Sequence, residues 1–139
     1  MDLSFVFPCL NEEETLAHCI GELKGSLDAS GIDYEIIVVD NGSRDRSAEI
    51  ARECGARVVN ESRKGYGAAL SSGIRHASGT YVAFADADGS YPLEKIGEMY
   101  RLAEESGADM VIASRFRGTI EPGAMPTSHR YLGTPVLTT

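Results

Sequence analysis

Residues 81–92 read YVAFADADGSYP, an apolar run that ends in two aspartates one residue apart. The run 81–85 predicts a buried β-strand, and Asp86-Ala87-Asp88 then places two carboxylates at the carboxyl end of that strand. Hard divalent cations such as Mg²⁺ or Mn²⁺ prefer oxygen ligands of this kind. Acidic residues after a strand also form turns. This segment alone therefore leaves a metal-assisted phosphate site and a simple turn as alternatives.

Strands and helices alternate on both sides of this segment. Four more apolar, β-branched runs predict strands at residues 3–7, 35–39, 57–59 and 109–113. Helical patterns lie between the strands, around residues 16–27, 44–54, 67–77 and 93–106, and we expect Asn11 and Ser43 to cap the first two. The alternation predicts an α/β fold with a mostly parallel sheet, right-handed crossovers and helices on both faces.

Composition limits the class of protein. The chain has 139 residues and 42% hydrophobic content, which is ordinary for one soluble domain with a single core. Its net charge of −8, with 13 basic and 21 acidic residues, argues against a general nucleic-acid binder. Cys9, Cys19 and Cys54 form no CxxC pair and no even disulfide set, which fits a reducing cytoplasm. Neither a membrane span nor a signal peptide is visible, so we expect a cytoplasmic location.

The pattern changes after Ser114. Residues 115–139 are rich in glycine and proline and have no apolar period, so they are predicted to be loop. We therefore assign residues 1–114 to the α/β core and 115–139 to a separate tail. Because so long a stretch without structure is uncommon in a compact domain, we expect a fragment or a tail that a partner orders.

Polar residues follow all five predicted strands. Ligands of open α/β sheets bind beyond the carboxyl ends of the strands. Each motif also has a simpler explanation, since asparagine and glutamate begin helices, DNG forms turns and glycine supplies positive φ angles. The joint arrangement favours one crevice lined by carboxylates, a basic glycine loop and an arginine. The motifs are PCLNE at 8–12, DNGS at 40–43, RKGYG at 63–67, DAD at 86–88 and SR at 114–115.

These motifs, in this order, resemble those of family 2 glycosyltransferases with the GT-A fold. The resemblance is closest to the polyprenyl-phosphate sugar synthases, of the dolichol-phosphate mannose or glucose synthase type, and spans residues 3 to about 135. It implies a Rossmann-like GT-A fold, with this chain as the donor-binding part and residues 115–139 as the start of an acceptor region. It rests on Pro8-x-x-Asn11-Glu12, Val38-Val39-Asp40-Asn41-Gly42-Ser43-x-Asp45, Arg63-Lys64-Gly65-x-Gly67, Asp86-Ala87-Asp88-x-x-Tyr91-Pro92 and Ala113-Ser114-Arg115-Phe116.

The resemblance also implies a role for each site residue. Glu12 and Asp40 would accept hydrogen bonds from the ribose hydroxyls and the base, while Arg63 and Lys64 would close over the nucleotide. Asp86 would contact the ribose side, and Asp88 would hold the Mg²⁺ or Mn²⁺ that neutralises the leaving diphosphate. The implied nucleotide-binding set is Pro8, Asn11, Glu12, Asp40, Arg63, Lys64, Gly65, Asp86 and Ala87, and the implied metal ligands are Asp86 and Asp88.

Two departures from the family pattern concern the metal and the base. Ser90 stands where the matching synthases often place a glutamine that binds the metal, so we expect weaker or more hydrated metal binding. No catalytic carboxylate is evident between residues 114 and 139. Either the base lies in missing sequence, or none is needed because the acceptor is an ionised phosphate. Arg115, Arg117 and Arg130 favour a phosphate acceptor, because arginine grips phosphate in a bidentate fashion.

The resulting interpretation is an inverting, metal-dependent hexosyltransferase with Asp88 and Arg115 as its catalytic residues. It would move a sugar from a UDP- or GDP-linked donor to a polyprenyl phosphate at the cytoplasmic face of a membrane, with peripheral membrane association. Three alternatives stay open: a polysaccharide or other sugar acceptor, a sugar nucleotidyltransferase, and a nucleotide-binding fragment without turnover. A nucleotidyltransferase usually opens on a basic glycine-rich loop, whereas residues 8–12 here read PCLNE.

Overall fold

A computed structural model describes residues 1–107, 110–113, 120–123 and 136–138, which form seven strands and four α-helices. The strands are β1 (Leu3–Cys9), β2 (Tyr34–Asp40), β3 (Arg57–Asn60), β4 (Tyr81–Phe84), β5 (Met110–Ala113), β6 (Ile120–Gly123) and β7 (Val136–Thr138). The helices are α1 (Leu16–Ala29), α2 (Ser47–Glu53), α3 (Tyr66–His76) and α4 (Ile96–Ser106), with a 3₁₀ turn at Leu93–Lys95 before α4.

The described strands form one sheet in the order β3-β2-β1-β4-β7-β5-β6. Strands β1 to β4 are mutually parallel, and β5 has the same direction because it and β4 both pair antiparallel with β7. The prediction of a mostly parallel sheet is therefore confirmed. Cys9 pairs in register with Asp40, and Asp40 with Asn60, so three strands end side by side at the carboxyl edge.

Helices cover both faces of the sheet, as predicted. On one face α1, α2 and α4 pack over the odd-numbered residues of β1, where the Phe5 and Phe7 rings lie 4.8 Å apart between centroids. The predicted apolar stripe of α1 is fully buried there. Its side chains are spaced three or four residues apart, so they lie on one face of the helix. That stripe consists of Leu16, Ile20, Leu23 and Leu27.

The opposite face of the sheet is covered by α3. Ala69 of this helix packs with Val6, Ile37 and Val39 in a second apolar cluster. Close approach depends on Gly73, because a Cβ at that position would collide with the Val6 and Val39 side chains. The helix therefore lies flat on the sheet, with its amino terminus at the carboxyl edge of the strands.

Both predicted helix caps are wrong. Helix α1 begins after Thr15 and α2 after Arg46, and neither of these residues caps through its side chain. Asn11 instead has a left-handed backbone, with a φ of 55°. Its backbone N–H donates to Ser43 Oγ at 2.9 Å. These two polar residues thus join two loops to each other rather than each closing a helix end.

The tail departs from the prediction of a structureless loop, because β6 and β7 both lie within residues 115–139. Strand β6 contains Pro122 and Gly123, which belong to the glycine- and proline-rich stretch predicted to be loop. Proline is tolerated in edge strands, since the missing N–H can face away from the ladder. Strand β6 is such an edge strand of the sheet. The assignment of residues 115–139 as an acceptor region stays a prediction.

None of the helices in the described part of the chain combines the length and the apolar character that a membrane span requires.

Candidate functional site

A cleft of about 320 Å³ opens at the carboxyl edge of the sheet. The strand-end loops meet there, as expected for an open α/β sheet. Half of the lining residues were predicted from the sequence as nucleotide-binding: Pro8, Glu12, Lys64, Gly65 and Asp86. The other half were not: Cys9, Leu10, Asn41, Tyr66 and Ala69. The cleft therefore combines two carboxylates and one lysine with apolar side chains.

Other predicted nucleotide-binding residues support the cleft from its surroundings. Asp40 is only 9% exposed, and its Oδ1 accepts a hydrogen bond from the Ser43 backbone N–H at 2.9 Å. Ala87 is buried, and its carbonyl accepts from Thr15 Oγ1 at 2.5 Å. The Asn11 side chain accepts from the Arg44 backbone N–H at 2.8 Å. The nucleotide-binding roles of Asp40, Ala87 and Asn11 stay predictions.

Arg63 differs from its neighbour Lys64 because it is bound to an acidic side chain. Its guanidinium donates to Glu61, with Nη2 3.2 Å from Oε1 and Nε 3.3 Å from Oε2. This pairing lowers the pKa of Glu61 to about 2. Lys64, by contrast, lines the cleft directly. Of the two predicted basic residues, Lys64 is therefore the one placed to contact a ligand in the cleft, and the nucleotide-binding roles of both stay predictions.

The charges of two nearby carboxylates act on Glu12, which lines the cleft. The pKa of Glu12 is raised, first by burial and then by the negative charges of Asp88 and Asp86. Neighbouring negative charges make the ionised form of a carboxylate less favourable. A cation bound beside such carboxylates stabilises their ionised forms. The prediction that Asp86 and Asp88 lie near Glu12 is consistent with this coupling. Their roles as metal ligands stay predictions.

Ser90 orients Asp88 in this structure. Its backbone N–H and its hydroxyl both donate to Asp88 Oδ1, at 2.9 Å and 2.5 Å. Gly89 between them has a φ of 82°, which glycine adopts without the steric penalty that a side chain would add. The serine at the position expected to hold a glutamine therefore contacts the carboxylate itself.

The described residues contain no group of three or more His, Cys, Asp or Glu side chains arranged to hold a metal ion by themselves. A Mg²⁺ that arrives with a nucleotide has a smaller requirement, because it usually takes one or two carboxylates together with phosphate oxygens and water. Asp86 and Asp88 fit that kind of shared site, since they are hard oxygen donors beside a cleft that also presents Lys64.

Hydrogen bonds between two loops fix the position of Glu12. Its backbone N–H donates to Ser47 Oγ, and the backbone N–H of Glu13 donates to Asp45 Oδ2, at 2.9 Å and 3.1 Å. Asp45 also accepts from the Ser47 hydroxyl and N–H, and the Ser47 hydroxyl is the main cause of its lowered pKa. Asp45 thus joins the β1–α1 loop to the segment that leads into α2.

Two residues of the cleft, Asn41 and Tyr66, received no role from the sequence, although both lie inside the motifs that drew attention. Tyr66 is the first residue of α3, and burial, followed by the charge of Asp86, raises its pKa well above the ordinary value. Asn41 bonds to the loop that carries Lys64. The sequence signal that could have identified them is their position, since Asn41 directly follows Asp40 and Tyr66 directly follows Gly65.

The arginines assigned to the acceptor phosphate, Arg115, Arg117 and Arg130, lie outside the described residues. The proposed catalytic role of Arg115 and the phosphate grip of all three stay predictions.

Similarity to known proteins extends over nearly the whole chain. The family model described as glycosyl transferase family 2 matches residues 4–138. The low-salt glycan biosynthesis hexosyltransferase Agl6 of Haloferax volcanii is 41% identical over 136 residues, which are 98% of this chain and 33% of that protein. The undecaprenyl-phosphate 4-deoxy-4-formamido-L-arabinose transferase of Edwardsiella ictaluri is 38% identical over 116 residues, which are 78% of this chain and 35% of that protein.

A solved structure is similar to a large part of this chain. It is the glucosyl-3-phosphoglycerate synthase of Mycobacterium tuberculosis in complex with Mn²⁺, UDP and glucosyl-3-phosphoglycerate. The match has a TM-score of 0.54 and 35% identity, and it covers 62% of this chain and 33% of the synthase. The chain thus spans about a third of the length of each of these three relatives.

Proposed function

The chain belongs to glycosyl transferase family 2 and has the GT-A fold of that family, and from this premise we propose that it binds the nucleotide-sugar donor of an inverting glycosyltransferase whose acceptor is a polyprenyl phosphate. The donor is a UDP- or GDP-linked sugar, and binding requires Mg²⁺ or Mn²⁺.

The observation that carries this proposal is the composition of the cleft. Glu12 and Asp86 line it beside Lys64. A nucleoside diphosphate offers the matching groups, since its ribose hydroxyls donate hydrogen bonds to carboxylates and its diphosphate attracts an ammonium group. Lys64 is carried by the loop before α3, and the positive end of the α3 dipole adds to the attraction for phosphate.

The carboxylates divide into two tasks. Glu12, at the partly buried side of the cleft, accepts hydrogen bonds from the sugar or base of the nucleotide, and its backbone is fixed by Ser47 for this purpose. Asp88, oriented by Ser90, would hold the cation together with Asp86. That cation supplies electrostatic stabilisation to the diphosphate as it leaves. Lys64 neutralises part of the same charge.

Polyprenyl phosphate is favoured as acceptor because a relative at 38% identity is named as an undecaprenyl-phosphate sugar transferase. A phosphate monoester is ionised at neutral pH and attacks without a general base. Such an acceptor would be held through Arg115, Arg117 and Arg130, which would bind its phosphate on the face of the sugar opposite the leaving diphosphate.

A second candidate acceptor is a small phosphorylated acid. The M. tuberculosis synthase, at 35% identity, is named for a glucosyl-3-phosphoglycerate product and was solved with UDP and Mn²⁺. Both candidate acceptors carry a phosphate, so the same arginines would serve either. They differ in the nucleophile, which is a phosphate oxygen in one and a hydroxyl in the other.

The acceptor assignment is tested with this chain, radiolabelled UDP- and GDP-hexoses, and two acceptors: a short-chain polyprenyl phosphate and 3-phosphoglycerate. We expect label in the lipid extract, and at least tenfold less in the lipid when Arg115 and Arg130 are both replaced by alanine, since a phosphate contact is worth about 1.5–3 kcal/mol. Label in the phosphoglycerate alone would favour the second candidate. Full transfer by the double variant would show that the phosphate grip lies elsewhere.

A further inference from the structure

The loop between β3 and α3, residues 61–65, is folded around two side chains and presents Lys64 to the cleft. One of these side chains, Glu61, belongs to the loop, and the other, Asn41, comes from the end of the neighbouring strand β2. We propose that Asn41 is a positioning residue that holds this loop in the conformation in which Lys64 contacts the ligand. This inference rests on the proposed function for the identity of the ligand, but the loop conformation itself does not.

Three hydrogen bonds of the Asn41 amide are directed at this loop. Its Nδ2 donates to the carbonyl oxygens of Glu61 and Arg63, at 2.9 Å and 2.8 Å. Its Oδ1 accepts from the backbone N–H of Gly65 at 3.0 Å. Three backbone groups spread over five residues are therefore tied to a single side chain, which fixes the curvature of the loop on both sides of Lys64.

Asn41 is itself held firmly by the sheet. Its backbone N–H donates to the Cys9 carbonyl at 2.9 Å, which continues the β1–β2 pairing one residue beyond the strand. The backbone N–H of Glu61 donates to the Asp40 carbonyl at 3.0 Å, which anchors the first residue of the loop to the same strand end. These two hydrogen bonds tie the loop to the carboxyl ends of β1 and β2, next to the cleft.

Glu61 closes the loop from inside. Its Oε2 accepts from the Arg63 backbone N–H at 2.9 Å, and its Oε1 lies 3.7 Å from Nη2 of Arg75 on α3. Because Arg63 is turned toward Glu61, the next residue, Lys64, is the basic side chain left on the cleft lining. Asn41 and Glu61 together thus determine that Lys64, and not Arg63, contacts the ligand.

An asparagine suits this task better than an aspartate of the same shape. An amide offers donors to two carbonyl oxygens and an acceptor to one N–H, whereas a carboxylate has no donor and would repel both carbonyls. Removing the amide leaves three backbone groups without their partner, so the loop would lose its fixed shape while the sheet below stays paired. The expected consequence is local, at residues 61–65.

The test has one arm that needs no ligand. Trypsin cleaves after Arg63 and Lys64, and mass spectrometry reports each cleavage separately. Asn41→Ala should raise the cleavage rate at these two bonds by about tenfold or more, because local opening controls proteolysis of a folded chain. The control is Asn60→Ala, since Asn60 is also at a strand end and is exposed. Equal rates in Asn41→Ala, Asn60→Ala and the parent chain would overturn the proposal.

The second arm is a double-mutant cycle on nucleotide affinity, measured by calorimetry with UDP, GDP or dTDP and Mg²⁺. Asn41→Ala should weaken binding about tenfold when Lys64 is present and add little in a Lys64→Ala background, because residues that act through one another are not additive. Full additivity would show that Asn41 does not act through Lys64. A merely structural defect would weaken binding in both backgrounds.

Two further outcomes are kept distinct. If the parent chain binds none of the nucleotides, the proposed function fails, and the cleavage arm still decides the role of Asn41 in the loop. If Asn41→Ala does not fold, Asn41→Asp keeps the shape of the side chain but removes both donors to the Glu61 and Arg63 carbonyl oxygens. It should then give the same selective cleavage after Arg63 and Lys64, and wild-type cleavage would contradict the assignment.

Discussion

The two ends of the parallel strands treat polar groups in opposite ways. At the amino edge the buried Ser4 hydroxyl donates to Glu35 Oε2 at 2.6 Å and accepts from the Ser78 and Gly79 backbone N–H groups, at 3.1 Å and 2.7 Å. At the carboxyl edge burial and the charges of Asp88 and Asp86 raise the pKa of Glu12. One edge compensates its polar groups internally, while the other gathers like charges around a cleft.

The difference separates the part of the sheet that stabilises the fold from the part that binds. A polar group that is fully compensated within the chain contributes to folding. Grouped carboxylates at a cleft are costly for the folded chain and become favourable only when a cation or ligand donor meets them. Substitutions at the amino edge should therefore change stability without binding, and those at the grouped carboxylates of the cleft the reverse.

The largest expected effect is on stability, from Ser4→Ala at the amino edge. It removes the acceptor of the Gly79 N–H in a buried site and should lower the free energy of unfolding by about 2 kcal/mol. Denaturant unfolding checks this, with nucleotide affinity measured on the same sample. The control is Ser71→Ala on the exposed side of α3, where the loss should be far smaller. A drop in affinity for folded Ser4→Ala would break the separation of the two edges.

A smaller effect, on binding, is expected from Asp40→Asn at the carboxyl edge. The amide oxygen still accepts from the Ser43 N–H, so the turn survives while the charge is lost. Affinity for nucleoside diphosphates should fall roughly tenfold, about 1.4 kcal/mol, because a charged acceptor for the nucleotide is removed. Inorganic pyrophosphate has no ribose or base, so its affinity should stay constant. An equal loss for pyrophosphate would make Asp40 purely structural.

The smallest effect concerns pH and Glu61, whose position between sheet and cleft sharpens the comparison. Arg63 lowers the pKa of the Glu61 carboxyl from the ordinary value of 4.5 to about 2. The folded chain therefore releases this proton more readily than the unfolded chain, and the resulting stabilisation is present above pH 4.5 and lost as the pH falls toward 2. Glu61→Gln should flatten the change in unfolding free energy between pH 6 and pH 3.

The matched control for this pH experiment is Glu105→Gln, which removes an exposed glutamate near the end of α4. Its unfolding curve should keep the pH dependence of the parent chain. If Glu61→Gln also kept that dependence, the pairing with Arg63 would contribute nothing to folding, and the loop would be held by Asn41 alone.

The sequence predicted the sheet core and the place of the site because both follow from short-range patterns. The α1 stripe and the apolar strand runs repeat with the period of their element, and parallel strands bring their following residues to one edge. Glu12, Lys64 and Asp86 were found in this way. Strand β6 was missed because Pro122 and Gly123 indicate a break unless the strand lies at an edge.

The roles of Asn41 and Tyr66, and the backbone of Asn11, could not be read from local patterns. The Asn41 amide bonds to residues 20 to 24 positions away, and Asn11 meets Ser43 across 32 positions. Contacts of this range depend on how two loops meet after the sheet has formed. Asn11 therefore is of a residue type that often caps helices, but its φ of 55° is not that of a cap residue.

The most direct measurement of the central claim is a calorimetric titration of the chain with UDP, GDP and dTDP in Mg²⁺, Mn²⁺ or EDTA, repeated on Asp88→Asn. The account predicts that at least one nucleotide binds, that EDTA weakens this binding, and that Asp88→Asn loses the metal-dependent part while its thermal stability is retained. Binding that is equally tight in EDTA, or a variant that responds to the metal as the parent chain does, would contradict the assignment of the carboxyl edge as a metal-assisted nucleotide site.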